Sequence, residues 1–255
     1  MSDKKYIGIL DGGFEGINIF NKLVQDYPYE RFIYLNDPIN YPYEGKEEKV
    51  IINAIKKNVE RLINVGVSMI VVVNNSIVEY GSEYLDSLDI KVVKVSDFII
   101  DYVNELYEHK NVGLLAKEYI IKANIYQKNI KYNHLYSIPS DSFDELIENK
   151  LVKTAKSFQT VNEVFQNVKS KDFNILIVTD SYLNNLRIEF IEYVKCDEIM
   201  DLSALVSKKM KEFLNNTGHF KKRGTVLTNL SKKEFFDKAY FLDIKPKYKK
   251  IIEEK

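Results

Sequence analysis

The sequence has a single cysteine, Cys196, so no internal disulfide can form. That fits a reducing compartment. Tryptophan is absent, and the five prolines are thinly spread. No uncharged apolar run approaches the roughly 20 residues of a membrane span. The apolar stretch Tyr6 to Leu10 is too short for the core of a secretion signal. A cytoplasmic protein with no membrane partner is expected. Charge of one sign is also missing, because 37 basic and 37 acidic side chains cancel to a net charge of zero. A chain without basic excess lacks the footprint of a general nucleic-acid binder. Weak repulsion between copies makes self-association an expectation. The three histidines, His109, His134 and His219, have no metal-ligand spacing, so no metal is expected.

What remains is ample material for a core, with 45% hydrophobic residues in 255. Short apolar runs alternate with longer amphipathic ones. Tyr6–Leu10, Phe32–Leu35, Met69–Val73, Val92–Val95, Val112–Leu115, His134–Ser137, Ile175–Val178, Glu198–Met200 and Thr225–Leu227 read as strands. Several are apolar without alternation, as strands covered on both faces are. Glu47 to Val65 has helical spacing and is followed by Gly66 as a stop signal. Leu151–Val168 and Leu202–Leu214 share that periodicity. The Lys-rich tail, Lys245 to Lys255, reads as a solvated end. The fold class is α/β with mainly parallel sheet flanked by helices.

One pattern occurs twice. Ile70 to Val73 is followed by Asn74-Asn75-Ser76 and a helix. Ile175 to Val178 is followed by Thr179-Asp180-Ser181 and a helix. Two similar lobes would each present the carboxyl ends of strands, where ligands bind in open α/β sheets. Any α/β protein also repeats strand, cap and helix.

Ile7-Gly8-Ile9-Leu10-Asp11-Gly12-Gly13-Phe14-Glu15-Gly16 resembles the opening of the glutamate racemases, where strand one ends in Asp-Ser-Gly and then Gly-Gly. Asp37-Pro38 through Tyr41-Pro42-Tyr43 resembles their next signature, an Asp followed by Pro-Tyr-Gly. Asn74-Asn75-Ser76 falls on the family's Cys-Asn-Thr, and Thr179-Asp180-Ser181-Tyr182 on its Cys-Thr-His-Tyr. Gly113 to Ala116 leads where the family has a Gly-Thr turn, and Asp201 where it has Ile-Asp-Ser. Phe235, Ala239 and Phe241-Leu242 resemble its closing helix. The ordered set spans residues 5 to 243. It implies two similar α/β lobes facing each other across a cleft, residues 1–96 plus 207–255 and residues 97–206. It also implies a homodimer and an amino-acid racemase that uses no cofactor.

Inverting an amino acid without a cofactor requires a base and an acid flanking Cα. The family uses two thiols, which cycle between thiol and thiolate near neutral pH. Here those positions are Asn74, a carboxamide that does not ionise, and Thr179, a hydroxyl too weak to ionise unaided. The family's histidine is Ser181. Cys196 lies elsewhere and reads as packing. The resemblance places Asp11 beside the substrate amino group; as a bare residue it also reads as a loop aspartate capping the helix that starts near Phe14. Asp180 reads as a base or as the N-cap of a helix from Ser181. Gly12 replaces a family serine, and Glu44 stands where a glycine would, with Gly45 allowing a one-residue slip. Lys117 and Ile120 stand where substrate-binding threonines are expected. Lys117 reads as an anion partner or as a solvated helix charge. Asn75 and Ser76 keep a helix N-terminus that offers N–H groups to a carboxylate. Tyr41, Tyr43 and Tyr182, with Pro42, are candidates to line the cleft.

Three functions follow. The first is a racemase-fold protein that binds a small carboxylate, such as an amino acid, or a protein partner without racemising. The second is an active glutamate or aspartate racemase using carboxylates such as Asp11 and Asp180. The third is a pure interaction protein, since some glutamate racemases bind DNA gyrase.

Overall fold

The structure, a computed structural model, describes residues 6–43, 45–214 and 220–251; Glu44, His219 and the last four residues of the lysine-rich tail lie outside them. The chain divides into two compact units, Met1–Val95 with Val206–Lys255, and Ser96–Leu205.

The first unit opens with β1 (Tyr6–Asp11), α1 (Ile17–Asp26), β2 (Phe32–Asn36), α2 (Glu48–Asn64), β3 (Val67–Val72), α3 (Asn75–Asp86) and β4 (Lys91–Lys94). The second contains α4 (Val95–Leu106), whose first residue is the last of the first unit, then β5 (Lys110–Ala116), α5 (Glu118–Ala123), β6 (Tyr132–Pro139), α6 (Phe143–Glu148), α7 (Ala155–Phe165), β7 (Phe173–Val178), α8 (Arg187–Tyr193) and β8 (Cys196–Ile199). Helix α9 (Leu202–Met210) leads back to β9 (Thr225–Thr228), α10 (Lys232–Lys238) and β10 (Lys247–Lys250).

The first sheet has the order β10-β9-β2-β1-β3-β4 and the second β6-β5-β7-β8. Every strand pairing among the described residues is parallel. Central strands are apolar along their length because helices cover both faces. In the first unit Leu10, Ile33, Leu35, Ile70 and Val72 pack with Ile51, Ile55, Val59 and Leu62 of α2 and Ile77 of α3. Val65 caps α2, and Gly66 follows at φ +85°, the left-handed stop its position requires.

The two sheets share a winding rule. In each, the first strand is flanked by the second on one side and the third on the other, with the fourth beyond the third. The strand ends on either side of that reversal are where open α/β sheets bind ligands. The repeated pattern read from sequence is thus the third strand of each unit.

Several sequence expectations need correction. The tail includes a strand: β10 pairs with β9 from Lys247↔Thr225 to Lys250↔Thr228, Tyr248 donates to the Leu230 carbonyl at 2.5 Å, and Ile251 is buried. Its lysines suit an edge strand, where charge discourages further pairing. Val95 is the first residue of α4, because pairing with β3 ends at Val72↔Lys94. Leu151–Lys153 are not helical. Lys150 and Lys153 have φ of 58°, and α7 begins after Thr154, whose hydroxyl and that of Ser157 form a capping box. The buried Glu189 carboxylate accepts the Lys153 N–H at 2.5 Å and the Ser157 hydroxyl at 2.7 Å, which holds that turn. Helix α9 stops at Met210, short of Leu214. Strand β8 lies earlier than Glu198–Met200, in register with β7 from Phe173↔Cys196.

Candidate functional site

In the first unit, β1 ends at Asp11, and the chain turns through Gly12 and Gly13 towards α1. The Asp11 carboxylate is fully buried. It accepts the Tyr34 hydroxyl at 2.6 Å, the backbone N–H of Gly16 at 2.7 Å and of Gly13 at 3.2 Å, and the Asn74 amide at 3.4 Å. Gly16 is the N-cap residue of α1, so Asp11 ties down the helix start from a distance. Burial raises the Asp11 carboxyl above its usual range, while bonds from Tyr34, Gly16, Glu15 and Asn74 oppose the rise. The buried Tyr34 hydroxyl is pushed well above its usual range, by desolvation first and the Asp11 charge second.

Backbone approach explains two of the glycines. A Cβ on Gly16 would lie 2.0 Å from Val73 Cγ2. A Cβ on Gly12 would lie 2.6 Å from Tyr41 Cδ2. The Tyr41 ring therefore fills the space that a serine at position 12 would need.

Asn74 is the N-cap of α3. Its Oδ1 accepts the Ile77 N–H at 3.1 Å, and its Nδ2 reaches Asp11 Oδ1 at 3.4 Å and Glu15 Oε2 at 3.3 Å. These contacts fix the amide orientation and employ both ends of the side chain. Asn75 and Ser76 follow in the first turn, both buried. One strand further along, buried Asp37 accepts amide N–H groups from Asn40 at 2.7 Å, Asn58 at 3.1 Å, and Asn229. Tyr43 is buried and packs edge-on against Tyr41 at 5.2 Å, whereas Pro42 between them is exposed. Burial, then the charges of Asp37, Asp11 and Glu15, pushes the Tyr43 hydroxyl up. This strand edge is rich in acceptors.

In the second unit, Thr179 follows β7. Its N–H donates to the Leu115 carbonyl at 3.2 Å, and its hydroxyl lies 3.2 Å from the same oxygen and 3.4 Å from Asp180 Oδ2. Asp180 stands at the cap position of a short 3-10 turn, Ser181–Leu186, but its side chain makes no cap bond, contrary to one sequence reading. The carboxylate faces Thr179 instead, and its charge adds to burial in raising the Tyr126 hydroxyl. Ser181 is fully buried.

Lys117 directly follows β5 and is 4% exposed, which excludes a solvated helix charge. Its ammonium pairs with Asp144 of α6 and lies 5.8 Å from the Tyr182 ring centroid. Tyr182 donates its hydroxyl to the same Asp144. Ile120 is buried in the core of its unit.

The structure brings Asp11, Gly12, Asn74 and Tyr43 to the carboxyl ends of the strands of the first sheet, and Lys117, Thr179 and Asp180 to those of the second. Sequence reading missed the roles of Glu15, Tyr34, Asn229 and Asp144. Glu15 and Tyr34 carry no signal beyond proximity to the motif, and Asn229 arrives only because β2 pairs with β9, Asn36 opposite Thr228. Cys196 opens β8, half-buried, with its thiol pushed up by burial. Among the described residues there is no cluster of His, Cys, Asp and Glu that could hold a metal ion, and no helix long and apolar enough to cross a membrane.

No protein-family model matches the chain. The glutamate racemase of Persephonella marina is 27% identical over 222 residues, covering 84% of this chain and 86% of that protein. This chain is a homologue of the glutamate racemases. It falls in the aspartate/glutamate racemase superfamily. The fold of this glutamate racemase homologue agrees with solved structures. The Francisella tularensis enzyme, in complex with D-glutamate, superposes with a TM-score of 0.84 at 22% identity, covering 99% of this chain and 98% of that one. The Thermus thermophilus enzyme, in complex with β-chloro-D-alanine, gives 0.85 at 17% identity, with 97% of each chain covered.

Proposed function

We propose that this glutamate racemase homologue does not racemise amino acids and instead binds a small carboxylate at the carboxyl ends of its strands. The observation that carries this reading is the state of Asn74. At the position where the family resemblance puts the first thiol, both ends of an amide are committed to structural bonds, capping α3 and holding Asp11 and Glu15. An amide neither accepts nor releases a proton near neutral pH. Thr179, at the second thiol position, has a hydroxyl set against a backbone carbonyl. Proton removal from Cα needs an ionisable group within reach on each side, and neither position supplies one. A glutamate-sized ligand is supported by the D-glutamate bound to the Francisella tularensis relative. By the same resemblance we expect a homodimer; a protein partner such as gyrase remains an alternative occupant of the surface.

A second reading, racemisation by carboxylates such as Asp11 and Asp180, draws on the raised proton affinity of Asp11. Against it, Asp11 has no exposed surface and is wrapped by four donors. Purified protein should bind L- or D-glutamate or aspartate in a calorimetric titration. It should leave the optical rotation of pure L-glutamate unchanged over long incubation. Inversion that disappears in Asp11→Asn would establish the second reading instead.

A further inference from the structure

We propose that Asp144 is an internal stand-in for a ligand carboxylate, holding Lys117 in the free protein and giving way when a small carboxylic acid binds there. The proposal rests on the reading that this chain binds a small carboxylate, and it names the contact. Lys117 and Asp144 form an uneven pair. The lysine side chain is 5% exposed and the aspartate side chain 45% exposed. A buried ammonium cannot be left without an opposite charge, because its lost hydration must be replaced. An aspartate whose side chain is nearly half exposed gives up little by turning into solvent. Lys117 is therefore the fixed member of the pair, and Asp144 the replaceable one.

Other donors surround the same place. Tyr182, 6% exposed, donates its hydroxyl to Asp144, so that carboxylate already receives two different side chains. Ser140 follows β6, and its N–H bonds to the carbonyl of Ala116, the residue before Lys117, at 2.9 Å. Its hydroxyl is fully buried and has no hydrogen-bond partner. An ammonium, a phenol hydroxyl and an alcohol thus gather at the ends of β5 and β6 and the turn after β7. A carboxylate accepts at about four lone-pair sites. An untethered one can reach donors that Asp144, held by α6, leaves unused. What this edge recognises is the carboxylate itself; no amino group is required.

The test is calorimetric titration of the full chain with glutarate, which has two carboxylates and no amine, and with L- and D-glutamate. Asp144→Asn removes the internal competitor and should tighten glutarate by about fivefold, the equivalent of a partly exposed ion pair. Lys117→Met should weaken it by at least about tenfold. Binding by Asp144→Asn where the wild type shows none would also support the stand-in. If Asp144→Asn is unfolded alone, glutarate should refold it, since a ligand that binds only the native state stabilises it; failure to refold counts against the proposal. Wild-type binding that Asp144→Asn leaves unchanged or weaker overturns the stand-in but not small-carboxylate binding. Absence of binding in both proteins overturns both.

Discussion

Replacing Asn74 by cysteine would restore a thiol at the position the family resemblance assigns to one, and the structure predicts what that costs. The amide caps α3 through the Ile77 N–H at 3.1 Å, and Ile77 is fully buried, so water cannot replace the lost acceptor. Loss of a side-chain cap costs about 1 kcal/mol. The amide also donates to Asp11 and Glu15 at 3.4 and 3.3 Å. Bonds to charged groups contribute about 1.5–3 kcal/mol at good geometry, and these lie at the long limit, so together they add about 1–2 kcal/mol. Asn74→Cys should therefore lose about 2–3 kcal/mol in urea unfolding followed by circular dichroism at neutral pH. Asn74→Ser keeps a capping oxygen and should fall between the two proteins. Neither variant should invert L-glutamate, because the Thr179 hydroxyl itself does not ionise near neutral pH. An Asn74→Cys protein as stable as wild type, or an Asn74→Ser no better than Asn74→Cys, would refute the structural role given to the amide.

The remaining predictions address the turn around Asp11 and the proton it favours. A carboxyl whose folded pKa lies above its unfolded value binds more protons in the folded state; its stabilisation is complete below the ordinary value of 3.8 and is lost as pH rises through the higher folded value. Wild-type stability measured by urea midpoint should thus fall with rising pH above about 4 more steeply than that of Asp11→Asn, and identical slopes would contradict the assignment. Gly16→Ala places a methyl 2.0 Å from Val73 Cγ2 and should destabilise by about 3 kcal/mol, read as a lowered melting temperature; a neutral effect would mean that the turn can move aside.

The sequence was most legible where burial on both faces writes itself as an unbroken apolar run. Strands β1, β3 and β7 stand out that way, and α2 through its periodicity and the stop at Gly66. Capping and pairing across distance were not legible. Lys247 to Lys250 has no apolar run, and its strand exists because β9 offers it a parallel edge. The helix that periodicity extended back to Leu151 starts later because Glu189, from a distant helix, claims the Lys153 N–H. At the candidate site, Asp11 and Asn74 could be placed at strand ends from their neighbours in sequence. Lys117 could not be recognised as buried, since nothing beside it names Asp144 as its partner. Asp37 likewise gains Asn229 from the far end of the chain.

Proton transfer at Cα is the decisive quantity, and proton NMR of L-glutamate incubated with the purified protein in heavy water reads it directly. An amide and a backbone-bound hydroxyl in place of two thiols predict that the Cα–H signal persists at the rate of a protein-free control. Steady loss of that signal in proportion to protein concentration, with or without D-glutamate appearing, would contradict the account.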